Sequence, residues 1–224
     1  VENGILVEKH EEHENQRRLE GNIYLGKVTN VLKGMESAFI DIGEERRSLI
    51  KIQDVLPKVN IAKQSIEKET IEKILKEGDK ILIQIKKDGT ASKGAKVSTH
   101  INLSGRFVVL MPETDIVTVS QKIEDENMKK KLIEIAKKNL PENTGVILRT
   151  SSGNASENEI KKDIEELYKK WEGIKEKAIN SKTTPQLLYD NKALIRRTVI
   201  DILDRGLEKI IVNDKEIYED IITV

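Results

Sequence analysis

Arg149 and Thr150 stand side by side in "GVILRTSSGNAS", residues 145–156, directly after the apolar run Val146-Ile147-Leu148. The run reads as a buried strand, and the pair falls where that strand gives way to a polar loop. A guanidinium offers a planar fork of donors that meets two phosphate oxygens at once, and a threonine hydroxyl adds a third donor. The pair therefore suits a phosphate. It equally suits an exposed strand-end arginine paired with a nearby glutamate, and the two residues alone do not separate these readings. Other chemistry-bearing side chains are thinner on the ground. The chain has no cysteine, which removes thiol catalysis, disulfides and Cys-based zinc sites. His10 and His13 lie in the glutamate-rich "EKHEEHE"; such a segment can chelate a metal by chance, but it reads as a solvated strand end or loop. His100 is isolated. Asp201 and Asp204 in "IDILDRG" are near neighbours on a helix and read as helix-end surface residues.

The elements that would position Arg149 and Thr150 follow from periodicity. Asn3-Gly4 between apolar flanks marks a hairpin over residues 1–9. "NIYLGKVTNVL", "ESAFIDIG", "RRSLIKIQDV", "KILIQIKKD" and "AKVSTHINL" read as five strands, with a short helix over 64–77 ahead of the fourth. Five short strands with that helix suggest a small closed Greek-key barrel of the OB type, a fold that often takes oligonucleotides on one face. Beyond it, "RFVVLMPE", "DIVTVSQKI" and "TGVILRT" read as strands and residues 125–138 as an amphipathic helix. Ser156 with Glu159 makes a capping box. Ile160, Ile164, Leu167, Trp171, Ile174 and Ala178 then recur on one helical face, so Trp171 reads as core rather than as a stacking platform. Residues 180–192 read as a loop, 193–205 as a helix and "LEKIIVND" as a buried strand, with one more element begun in the tail. This closing strand–helix–strand unit is expected to pack with the hairpin at residues 1–9.

Composition narrows the class. A length of 224 residues with 37% hydrophobic and 35% charged content suits a globular chain of one large or two small domains. Lys plus Arg equal Asp plus Glu at 39 each, so any nucleic-acid contact must come from local patches, not from net charge. Aromatics at 3% leave few residues for base stacking. No apolar run approaches the roughly 20 residues of a membrane span, and no signal peptide is visible. These features fit the cytoplasm. A start at Val1 reads as a cut or processed piece.

Several motifs in fixed order carry a family resemblance: "GNIYLGKVTNVLKGMESAFIDIGEERRSLI", "KGAKVSTHINLSGRFVVLMPE", "VSQKIEDE", "GVILRTS" and "KKWEGIKEKA". Together they resemble the ribonuclease E/G family of bacterial endoribonucleases along essentially the whole chain. The resemblance implies an α+β, multi-subdomain fold, in which an OB-type S1 barrel and a module sensing the RNA 5′ end are inserted into a split RNase H-like subdomain. Residues 1–20 and 194–224 would be the two RNase H-like parts, 21–101 the S1 barrel and 102–193 the 5′-sensor module. The family's DNase I-like catalytic part, its magnesium-binding aspartates and its zinc-binding Cys motif would lie downstream and are absent here. The chain is thus expected to bind single-stranded RNA, to hold no catalytic residue and no metal itself, and to be inactive alone. The intact enzyme would use Mg²⁺ and form a homo-oligomer.

By the same resemblance, Arg149, Thr150, Gly105 and Val109 match the 5′-monophosphate sensor. A glycine at 105 would let a phosphate approach the main chain closely. Phe39 matches the RNA-facing aromatic of the barrel. Alternation agrees, since Ala38, Ile40 and Ile42 form the more apolar face and leave Phe39 on the other. The second aromatic position carries Leu49. Lys87 and Lys93 match basic RNA-contacting positions beside "DGTAS", although a solvated basic loop describes them equally well. Lys122 lies near a basic pair of the sensor whose other member is here Gln121. The alternatives are a non-catalytic single-stranded RNA-binding module and a generic OB-barrel protein that binds another protein.

Overall fold

A computed structural model describes residues 4–7, 9, 18–55, 70–191, 199 and 208–222. Strands β1 (Ile23–Leu32), β2 (Ser37–Asp41), β3 (Ser48–Lys51), β4 (Lys80–Lys87) and β5 (Lys96–Ser98) follow one another, and a helical turn, α1 (Ile71–Ile74), precedes β4. They pair in the order β1-β2-β3-β5-β4, and β4 returns to β1 to close a five-stranded barrel. All pairs are antiparallel except β3 with β5. This is the OB order that the strand count suggested. The inward residues are those of the alternation: Val28, Ala38, Ile40, Ile50, Ile81, Ile83, Ile85 and Val97 fill one core with Ile71. Glu36, in a left-handed turn between β1 and β2, accepts the Ile71 N–H at 2.8 Å and so fixes the start of α1.

A second sheet follows. Strands β6 (Leu103–Ser104), β7 (Val108–Pro112), β8 (Val117–Val119) and β9 (Thr144–Leu148) pair in the order β6-β7-β9-β8. Helices α2 (Glu126–Asn139) and α3 (Glu157–Asn180) cover its inner face. Asp125 caps α2 by accepting from the Asn127 and Met128 N–H groups. The capping box of α3 is formed: Ser156 Oγ accepts from the Glu159 N–H, and the Glu159 carboxylate accepts from the Ser156 N–H. Ile160, Ile164, Leu167, Trp171 and Ile174 are buried, Trp171 with 3% exposure, so the indole is core.

Two expectations change. Residues 180–192 are not only a loop, because Gln186–Tyr189 form β10, which pairs antiparallel with the start of β1. Residues 208–214 form no strand, and Ile210 and Ile211 are exposed; an apolar run becomes a strand only with a neighbour to complete its hydrogen bonds, and none of the described strands pairs with it. The tail element is a helix, α4 (Lys215–Ile222). The expected hairpin turn at Asn3, the bulk of the 64–77 helix, His10, His13, the 193–205 helix, Asp201 and Asp204 fall outside the described residues, as does most of the expected RNase H-like piece.

Candidate nucleic-acid interface

Pairing register assembles a row across the outside of the barrel. Phe39 stands opposite Asn30 on β1 and opposite Leu49 on β3. Leu49 pairs in parallel with Lys96, and Lys96 pairs with Lys87 on β4. Phe39 and Leu49 are half-buried, while Asn30, Lys87 and Lys96 are exposed. An apolar centre flanked by a carboxamide and two ammonium groups is a surface on which a base can rest while its phosphates meet cations. The β3–β5 crossing that creates the row depends on Gly94, where a Cβ would run into the Arg47 carbonyl. Lys93 lies in the loop after β4 and closes its turn against Thr90, its carbonyl accepting from the Thr90 N–H at 2.7 Å. Lys96 was not singled out in the sequence, yet its alternation with Ala95 and Val97 in "GAKVS" already pointed it outward.

The second cluster lies at one end of the second sheet. The loop 105–107 leads into β7, β9 ends at Leu148, and the Ser120 N–H donates to the Leu148 carbonyl at 2.8 Å. Gly105, Arg149, Thr150, Gln121 and Lys122 are thereby brought to one edge. Arg149 Nη1 donates to the Gly105 carbonyl at 2.8 Å, so the guanidinium is held on the glycine named with it. The Arg149 N–H donates to the Phe107 carbonyl at 2.8 Å. Thr150 and Lys122 are exposed and Arg149 is half-buried. Val109 lies on the outer face of β7, opposite Ile147. Arg106 also stands over the Phe107 ring, 5.0 Å from its centroid.

Asp163 on α3 is the residue of this edge that sequence reasoning missed. Its carboxylate accepts from three successive N–H groups: Arg106 at 3.3 Å, Phe107 at 2.7 Å and Val108 at 3.0 Å. Burial pushes this carboxyl above its ordinary value, while the three N–H donors pull it down and Glu166 adds a smaller upward push. The group nearest to the missing Cβ of Gly105 is this carboxylate, which a side chain there would overlap. The glycine therefore has a structural reason of its own, besides any approach of a phosphate. A signal existed in the sequence: Asp163 falls three residues after Ile160 and four before Leu167, which sets a carboxylate at the border of the apolar face of α3.

Among the described residues, no group of three or more His, Cys, Asp or Glu side chains is arranged to hold a metal ion. Nor is any described helix long and apolar enough to cross a membrane.

A closed OB-type barrel carrying the half-buried Phe39 is thus joined to an α/β module with an arginine-threonine edge. The comparisons give the particular family. The sequence model of the ribonuclease E/G family matches residues 102–224. Ribonuclease G of Haemophilus influenzae is 35% identical over 99% of this chain and 46% of its own length. Ribonuclease G of Escherichia coli is 33% identical over 98% of this chain and 45% of its own length. Ribonuclease E of Escherichia coli is 31% identical over 88% of this chain and 19% of its own length. The chain belongs to the ribonuclease E/G family, and it spans less than half the length of these relatives.

Proposed function

We propose that this chain is the RNA-recognition half of a ribonuclease E/G-type endoribonuclease. It binds single-stranded RNA along the Phe39 row and senses a 5′ monophosphate at the Arg149–Thr150 edge. The observation that carries this reading is the hydrogen bond from Arg149 to the Gly105 carbonyl, which sets a guanidinium beside Thr150 at the sheet end. Val109 on the outer face of β7 offers an apolar surface for the first base, and Lys122 adds positive charge. Phe39 stacks a base, while Lys87 and Lys93 neutralise backbone phosphates.

Holding the 5′ end raises the effective concentration of a downstream site at the catalytic centre. Cleavage of the phosphodiester is proposed for the intact enzyme alone. There Mg²⁺, held by residues outside this chain, would activate water and stabilise the developing charge. The intact protein is proposed to work as a homo-oligomer in the cytoplasm.

A second reading is a non-catalytic single-stranded RNA-binding module. Leu49 and Gln121 favour it, since each replaces an RNA-binding group of the family pattern. One experiment separates the two. The chain is titrated into a short, 3′-labelled single-stranded RNA bearing either a 5′ monophosphate or a 5′ hydroxyl, and Arg149→Ala is the control. Tighter binding of the monophosphate that Arg149→Ala removes supports sensing. Equal affinity for the two RNAs defeats it and leaves the plain binding module. RNA cleavage by the chain itself with Mg²⁺ would overturn the recognition-half reading.

A further inference from the structure

The loop between β6 and β7 is hydrogen-bonded at both ends of three successive peptide units. The unit joining Gly105 to Arg106 gives its N–H to Asp163 and receives Arg149 Nη1 on its carbonyl. The unit joining Arg106 to Phe107 gives its N–H to Asp163 and receives Ser151 Oγ at 2.7 Å. The unit joining Phe107 to Val108 gives its N–H to Asp163 and receives the Arg149 N–H. Three aligned peptide dipoles thus run from one carboxylate to the segment 149–151.

A carboxylate at the N–H end of such units polarises them, which strengthens the acceptors at their carbonyl ends. The carboxylate also fixes the loop, because it takes up the N–H groups of residues 106, 107 and 108. Those N–H groups are then committed to the protein. The end group of an RNA is left to the side chains of Arg149 and Thr150. Gly105 completes the device, since a Cβ there would overlap the carboxylate and force it to shift.

We infer that Asp163 is a positioning residue for 5′-end recognition: it never touches RNA, and through the peptide units 105–108 it holds and orients Arg149. This inference rests on the proposed sensing role of Arg149.

The experiment measures the ratio of affinities for 5′-monophosphate and 5′-hydroxyl forms of one short single-stranded RNA. The intact chain is compared with Asp163→Asn, Gly105→Ala, Arg149→Ala and the Asp163→Asn/Arg149→Ala pair. A ratio is insensitive to the folded fraction, because partial unfolding weakens both RNAs alike. The intact chain should favour the monophosphate by roughly tenfold or more, as expected of a charge-assisted contact. Asp163→Asn, which keeps shape but sets an amide against N–H donors, should bring the ratio most of the way to one. Gly105→Ala, which keeps the carboxylate but displaces it, should do the same. Adding Asp163→Asn to Arg149→Ala should change the ratio no further. A ratio that survives Asp163→Asn or Gly105→Ala while Arg149→Ala abolishes it overturns the positioning role and spares the sensor. Equal affinity of the intact chain for both RNAs overturns the sensor, and the positioning role with it.

Discussion

Leu49 lies in register between Phe39 on one side and Lys96 on the other, so an aliphatic side chain occupies the middle of the outer barrel row where a second ring would extend the platform. Phe39→Ala should weaken single-stranded RNA binding by about 1–3 kcal/mol, and Leu49→Phe should strengthen it. Anisotropy titrations of both variants check this; unchanged affinity for Phe39→Ala would place the RNA elsewhere.

Lys96 supplies charge beside that row, and its contribution is separable by salt. For single strands the slope of log K against log salt is about −0.7 per phosphate neutralised. Lys96→Ala should therefore flatten the slope by roughly that amount, and Lys87→Ala should match it. A Lys96→Ala slope equal to that of the unsubstituted chain would remove Lys96 from the interface.

The start of α3 provides a stability test distant from the barrel row. Ser156→Ala leaves the Glu159 N–H without its cap and should cost about 1 kcal/mol. Trp171→Ala, in the core below, should cost roughly 3–5 kcal/mol. Urea unfolding gives both values, and a Trp171→Ala variant as stable as the parent would contradict its burial.

Asp163 predicts a pH dependence. Its folded-state value lies above the ordinary one because burial disfavours the charge more than the N–H donors favour it. Between the two values the folded state binds more protons than the unfolded state. The stability gained this way is complete below the ordinary aspartate value and is lost as pH rises through the folded one. Relative to Asp163→Asn, the parent chain should be at its best in acid and lose ground on the way to neutral pH. A difference in urea midpoint that stays constant over that range would refute the shift.

Lys86 behaves with the opposite slope. Burial lowers its value, only partly opposed by Asp54, while its ammonium donates to Gln84 Oε1 at 3.3 Å. The unfolded state holds the proton at pH values where the folded state has released it, so stability rises with pH through that window. Lys86→Met should be the more stable protein near neutrality, with the advantage shrinking as pH approaches the ordinary lysine value. An advantage independent of pH would point to packing instead.

The sequence made much of this legible where periodicity was local. Ile81, Ile83 and Ile85 alternate inward on β4, and the Ser156–Glu159 box starts α3 where its spacing placed it. Gln186–Tyr189 carry no legible signal because four residues behind a proline have no period of their own; their strand character comes from β1, far back in the chain, where Leu187 pairs with Tyr24. Asp163 escaped for a related reason, its partners lying 55 to 57 residues earlier. The apolar run near Ile210 misled in the other direction, since hydrophobicity alone does not make a strand and none of the described strands pairs with it. Arg149 and Thr150 were visible as chemistry, whereas the peptide units that orient them were not.

The first residues of β1 serve two interiors at once. Ile23 and Leu25 point into the helical module, Tyr24 and Val28 into the barrel, and β2, β4 and β10 all bond to this one strand. Neither half can melt without stripping the other of part of its interior. The barrel and the module should therefore lose structure in a single cooperative step, and strain imposed at one should be felt mechanically at the other through this shared strand.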